Sequence, residues 1–236
     1  MSAPVAPHPV APPPGPRSLK EAVPRFFHDR GTKLIVACLL VASAGRLYVG
    51  DYLVWDALLP PLLLLLQPFV EWGVHVHYLH MRPRKVFGFT LDPLAARLHR
   101  AHHKEPWNVE LGFMPFPVLV RLLIGEALFW PLVMPTPALA LTGAVSTFAL
   151  TLYYEWIHFL VHTPYLPKGA FYREQWRLHR LHHHKNERYW MGVTLHLGDR
   201  LLGTQPDPAT VESSPSVRDL ALAWQAAEGA DGGTGG

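Results

Sequence analysis

Four stretches of this chain are apolar enough to be read against a bilayer core, which takes about 20 helical residues to cross. The first, LIVACLLVASAGRLYVG (residues 34–50), is broken only by Arg46. The second, residues 53–74, contains ALLPPLLLLLQPFV and carries Asp56 and Glu71 as its only charges. From Ala127 to Tyr154 there are 28 residues without a charge, too many for one untilted span. The PTP at residues 135–137 divides this run, because proline breaks a helix and suits a tight turn. The pattern therefore predicts a second hairpin, with arms at 116–134 and 138 to about 161. A soluble bundle of buried core helices is the alternative, but core helices rarely run so far without a charge. Arg121 lies near one end of the third span, where a long side chain can snorkel; Glu126 lies deeper and has no evident role.

Basic residues give this pattern an orientation. Arg17, Lys20, Arg25, Arg30 and Lys33 precede the first span; Arg82, Arg84, Lys85, Arg97, Arg100 and Lys104 fill the middle loop; Lys168, Arg173, Arg177, Arg180, Lys185 and Arg188 follow the last. The two remaining turns carry almost none. The positive-inside rule then places both termini and the middle loop in the cytoplasm. Three segments are expected: a proline-rich flexible tail over 1–30, a membrane domain over 31–205, and a flexible tail over 206–236. Residues 1–16 lack the apolar core of a signal peptide.

Composition agrees with a membrane protein. Charged residues make up 17% and hydrophobic residues 49% of 236 residues, against roughly 25% charge in soluble domains. A net charge of +3 without a concentrated basic stripe argues against nucleic acid as a partner. The scarcity of isoleucine and asparagine beside abundant alanine, proline and arginine hints at a GC-rich bacterial genome, hence a bacterial inner membrane. A single cysteine, Cys38, excludes a disulfide framework and any cysteine-based zinc site.

Histidine is the outlier, with 15 in the chain. Ten fall into four groups. EWGVHVHYLH (residues 71–80) carries His75 and His80, and LHRAHH (98–103) carries His99, His102 and His103. EWIHFLVH (155–162) carries His158 and His162, and LHRLHHH (178–184) carries His179, His182 and His183. The order is a repeat: Glu-Trp, a spaced pair, then HxxHH, twice over. This predicts a quasi-symmetric site built from nitrogen ligands, which suit iron, zinc, copper or nickel. Adjacent helical residues diverge by about 100°, so each HxxHH can give one neighbour to each of two ions. His75 and His80, five apart, would diverge by about 140° on a continuous α-helix and so serve different metals. His158 and His162 share a face and flank the pair. Glu71 and Glu155, four and three residues before a histidine, are placed to accept ring N–H groups; alternatively Glu155-x-x-His158 is the ExxH of ferritin-like di-iron bundles, where the carboxylate itself binds metal. His8 and His28 read as incidental, and His77, His184 and His196 as surface or supporting residues.

The order HX4H, HxxHH, HX3H, HxxHH on a membrane chain resembles the fatty acid hydroxylase superfamily, which includes sterol desaturases and fatty acid 2-hydroxylases. HHKEPWNVELGFMPFP (102–117), PKG (167–169) and HHHKNERYWMGVTLHLGDRLLGT (182–204) resemble the 2-hydroxylase branch most. The resemblance implies an all-α integral membrane protein: about four spanning helices in two hairpins, with a cytosolic, histidine-rich cap holding a dimetal centre. It implies that the ten histidines are metal ligands and catalytic, that the metals are iron in the active form with zinc an alternative occupant in isolated protein, and that O2 is co-substrate. The substrate would be a fatty acid or acyl lipid hydroxylated near its carboxyl end. With no attached cytochrome b5 domain expected, electrons would come from a ferredoxin or cytochrome with its reductase. Where the family carries a tryptophan before the late aspartate, this chain has Gly198. The same ligand set also serves desaturation and the hydroxylation of sterol or carotenoid rings, and a non-enzymatic histidine-rich metal-binding protein is a further alternative.

Overall fold

The structure is a computed structural model and describes residues 15–220. Helix α1 spans Leu19–His28, α2 Arg30–Val49, α3 Val54–Val74, α4 Leu94–Lys104, α5 Val109–Gly112, α6 Phe116–Val133, α7 Pro137–Val161, α8 Ala170–His184 and α9 Leu197–Leu202. Four segments are long and apolar enough to cross a membrane: Arg30–Val49, Val54–Leu79, Val109–Val133 and Pro137–Val161. The four spans and the turn between α6 and α7 fall where the hydrophobic pattern puts them. Thr136 caps α7, its hydroxyl accepting the Leu139 N–H, and Pro137 takes the first helical position. Pro60, Pro61 and Pro68 lie within α3 without ending it, as spanning helices allow when neighbours satisfy the freed carbonyls.

Helix α7 is the hub. It is the most buried span, and α2, α3 and α6 each pack against it, so α2 and α3 are a hairpin in sequence more than in packing. Small residues on α7 (Ala138, Ala140, Gly143, Ala144, Ser146) let the other helices approach closely. At Gly143 the requirement is strict: a Cβ would stand 2.3 Å from the Trp130 ring of α6. Arg46 is satisfied at the far end of the bundle, where its guanidinium meets Asp56 of α3 at 2.8 Å and donates to Thr142 of α7 at 2.8 Å. That one ion pair ties three spans together.

Two departures from the sequence expectations have simple causes. Within the supposed N-terminal tail, residues 1–14, with His8, lie outside the described residues, but Leu19–His28 is a packed helix with Ala22 and Phe26 buried. Its apolar positions 19, 22, 23, 26 and 27 follow helical periodicity, and Phe26 sets its ring against Phe113, Trp156 and Phe159. The supposed C-terminal tail is likewise packed as far as Leu220. Ser214 and Ser216 donate to Glu187, the Ser214 N–H donates to the Lys185 carbonyl, and Val217 and Leu220 are buried. Polar and proline-rich composition concealed these side-chain bonds. The all-α class holds, with one addition: Arg84–Val86 and Phe89–Leu91 pair antiparallel in a short hairpin after the second span.

Candidate metal centre

The ten histidines converge on one place, at the ends of α3 and α7 and along α4 and α8, and they divide into two sets of five. His75, His80, His99, His103 and His182 form one set; His102, His158, His162, His179 and His183 form the other; within each, one nitrogen per ring lies within 4.8 Å of all the rest. The sets touch where the His103 and His183 rings come to 4.2 Å. Nearly all are buried, His103, His179, His182 and His183 completely.

The division is a crossed two-fold pattern. In each HxxHH the residues four apart share a helix face and stay together, while the middle histidine diverges. On α4, His99 and His103 join the first set and His102 crosses to the second; on α8, His179 and His183 join the second set and His182 crosses to the first. His102 and His103 therefore separate as the spacing predicts, and so do His182 and His183. His158 and His162 stay together.

The expectation for His75 and His80 is overturned, because both belong to the first set with ring centroids 4.8 Å apart. The reason is a change of helix type. Residues His75–Leu79 form a π-helical turn in which the His80 N–H donates to the His75 carbonyl at 3.1 Å. An i→i+5 bond brings residues five apart onto one side, so the divergence argued from α-helical geometry does not arise.

Main-chain carbonyls hold the rings. Nδ1 of His75 donates to Met191 O at 2.6 Å, that of His158 to Gly112 O at 2.6 Å, that of His103 to Val217 O at 3.1 Å and that of His182 to Tyr189 O at 2.9 Å. A proton on Nδ1 leaves Nε2 with a lone pair, the form a metal needs. For His103 and His182 this has a sharp consequence: both Nε2 atoms are unprotonated yet lie 3.2 Å apart, an arrangement that is repulsive unless a cation sits between them. Three further Nε2 pairs lie at 3.0–3.1 Å: His75 with His99, His102 with His162, and His179 with His183. Ligand bonds of about 2.0–2.1 Å set two nitrogens on one ion roughly 2.9–3.3 Å apart between right-angled and tetrahedral geometry. The donor set fits metal. Burial keeps the rings neutral as well, pushing His103 and His182 down to about 3.

Glu71 and Glu155 do not accept from the histidines that follow them, and neither belongs to a ligand set. They brace the loops whose carbonyls do. Glu71 accepts the N–H groups of Val193 and Thr194 at 3.2 and 3.0 Å and the Thr194 hydroxyl, two residues past Met191. Glu155 accepts the Met114 N–H at 3.1 Å, two residues past Gly112. Each half of the repeat thus uses its glutamate in the same indirect way. The ferritin-like alternative, with Glu155 on the metal, is not what the geometry shows.

Among the remaining histidines, His77 is exposed against Trp72, and His184 lies beside Trp107. His196 is buried and paired through Nδ1 with Asp199 at 3.0 Å. Asp199 also accepts the N–H groups of Met191 and Gly192 and the Thr204 hydroxyl. Burial opposes its charge, but these bonds and His196 hold its carboxyl below the usual range. Gly198 beside it has a clear cause: a Cβ would lie 2.6 Å from the Pro68 carbonyl of α3, so no tryptophan fits there. The residues that sequence reasoning missed are Gly112, Tyr189, Met191 and Val217, which act through carbonyls that any residue possesses.

A cavity of about 630 Å3 between the spans leads to this centre. Its walls are mainly apolar, and it reaches two rings of each set, His75 and His99 of the first and His102 and His158 of the second.

Comparison with known proteins gives this geometry a context. A solved structure of full-length Scs7p, in which only the hydroxylase domain is visible, superposes with a TM-score of 0.60 at 21% identity, covering 77% of this chain and 66% of that one. A dihydroceramide fatty acyl 2-hydroxylase from Arabidopsis thaliana is 27% identical over 138 residues, 58% of this chain and 56% of the relative, so the chain matches little more than half of that protein's length. The fatty acid hydroxylase model matches residues 61–204, which contain all ten clustered histidines and three of the four spans entirely or in large part. The chain is an integral membrane protein of the fatty acid hydroxylase family.

Proposed function

We propose that this protein is a dimetal monooxygenase that hydroxylates the acyl chain of a membrane lipid near its carboxyl end. One observation carries the reading: an apolar cavity between spanning helices reaches both histidine sets at once, so a lipid chain entering it would bring one carbon to a centre shared by two ions. The ten histidines are the ligands, five per ion, and the ions are iron in the active form. Two irons supply activation of O2 for insertion into an unactivated C–H bond. The balance is R–H, O2, two electrons and two protons giving R–OH and water, with the electrons drawn from a ferredoxin or cytochrome and its reductase.

The residues of this chain perform the remaining tasks. The carbonyls of Gly112, Tyr189, Met191 and Val217 fix ring orientation, so the ligands are set before substrate arrives. The apolar cavity wall keeps water from the oxidant and limits the poses of the chain. Basic residues on the histidine side of the bundle support a cytoplasmic orientation, where reduced donors are available. Convergence of all ten rings, rather than ligands strung along a path through the bilayer, speaks against a metal carrier.

Lipidomics of an expressing strain tests the proposal. Acyl lipids gaining one oxygen close to the carboxyl carbon are expected, with His102→Ala and His182→Ala abolishing them while the protein stays in the membrane. Unchanged product in both variants would remove these histidines from the chemistry. Loss of two hydrogens in place of gain of oxygen would show a desaturase.

A further inference from the structure

Glu126, the carboxyl without an evident role in the sequence, sits in the wall of the cavity. It lies ten residues along α6 from Phe116, about 15 Å from the end of that helix nearest the histidines and so near mid-membrane. Thr151 of α7 donates to its Oε1 at 3.1 Å; Thr147 lies near the carboxyl as well, but its hydroxyl donates to the Ala144 carbonyl at 3.3 Å, and Oε2 is buried with no hydrogen-bond partner. The other acidic side chains of the spans have structural work: Asp56 answers Arg46, Glu110 pairs with Arg25, and Glu71 and Glu155 brace the metal-site loops. Oε1 of Glu155 is also unpartnered, but that residue is only three positions from His158 and part of the bracing. An ionisable side chain at such depth is costly and is kept where it meets a partner in a cavity or pathway.

We propose that Glu126 is the deep end of the substrate site and binds a hydroxyl carried on the hydrophobic body of the lipid. The inference rests on the acyl-hydroxylase reading and adds a substrate class to it. Thr151, which holds the carboxyl, precedes His158 by seven residues, about 10 Å along α7. At about 1.25 Å per carbon of extended chain, the recognised hydroxyl stands roughly eight carbons from the carbon presented to the metals. A hydroxyl is the fitting group because it both donates and accepts, and so complements the free oxygen whether or not the carboxyl is ionised. A plain alkyl chain laid along the same wall would leave Oε2 unsatisfied, whereas a hydroxyl would pair with it. Glu126 thereby becomes a selectivity residue that touches the substrate remote from the reacting carbon.

The test is equilibrium binding, without turnover, to the full-length purified protein in nanodiscs. The probes are octadecanoic acid and its derivative hydroxylated at about carbon 10, each competing with a fluorescent acyl probe. The wild type is expected to bind the hydroxylated acid about tenfold more tightly, the worth of one hydrogen bond to a charged or desolvated group. Glu126→Leu should erase that preference and bind the plain acid at least as tightly as the wild type does; Glu126→Gln should keep a smaller preference. Equal affinities in the wild type would overturn the inference while leaving the acyl reading standing, and so would a preference that survives in Glu126→Leu. Failure of both acids to bind would overturn the acyl reading and the inference together.

Discussion

Replacing Glu71 and Glu155 in turn separates the two halves of the centre without touching a ligand. In Glu71→Leu the N–H groups of Val193 and Thr194 lose their acceptor in a buried position. In Glu155→Leu only the Met114 N–H does. Each orphaned main-chain donor costs about 1–3 kcal/mol, so from these alone the first variant should lose roughly 2–6 kcal/mol and the second about half of that. The Thr194 hydroxyl and the Gln67 amide, which also donate to Glu71, are side chains that can turn to other partners. The loops then release the carbonyls they position, Met191 O for His75 and Gly112 O for His158. Loss of such orienting partners weakens metal binding about 10–100-fold. Because His75 and His158 belong to different sets, each variant should lose mainly one ion. The assay is thermal unfolding in detergent beside elemental analysis after dialysis against a weak chelator, with site occupancy followed by metal-edge spectroscopy. Equal loss of both ions in each variant would refute the separation, and full retention in both would refute the bracing role.

Three further outcomes follow from the same geometry. His80→Ala and His162→Ala should each remove mainly one metal, and a different one, since the two residues lie in different sets; a single ion in fully active wild-type protein by elemental analysis would contradict the two-site reading. Ending the chain after Gln205 removes the Val217 carbonyl that orients His103 and should lower metal content in the first set while the spans still insert; unchanged metal content would show that the segment is dispensable. In metal-stripped protein, His103 and His182 are held neutral down to about 3, whereas unfolded histidine takes up a proton near 6.5. The unfolded state therefore binds more protons below that value, and stability should be present above about pH 6.5 and decline as pH falls toward 3. A melting temperature flat across that window would count against burial as the cause.

Much of this molecule was legible in its sequence because the relevant signals are local and periodic. A span needs only a sufficient run of apolar residues, a hairpin only a proline-marked break, and a shared ligand face only a spacing of four; residues 116–161 and the two HxxHH strings carry these signals in their own order. The separation of His102 from His103 followed from the angle between helical neighbours alone. What the sequence could not disclose depends on atoms far apart along the chain. The π-helical turn at His75–Leu79 reverses the relation between His75 and His80, and the backbone there has no sequence mark that distinguishes it from an α-helix. The glutamates act through loops, Glu71 through residues 122 and 123 positions away, so their proximity to histidines in sequence suggested the wrong bond. The supporting carbonyls belong to the main chain, which is chemically the same at every residue. Tertiary structure decided these matters because hydrogen bonding and close packing act between whichever groups the fold brings together, whereas periodicity reports only what each helix presents on its own surface.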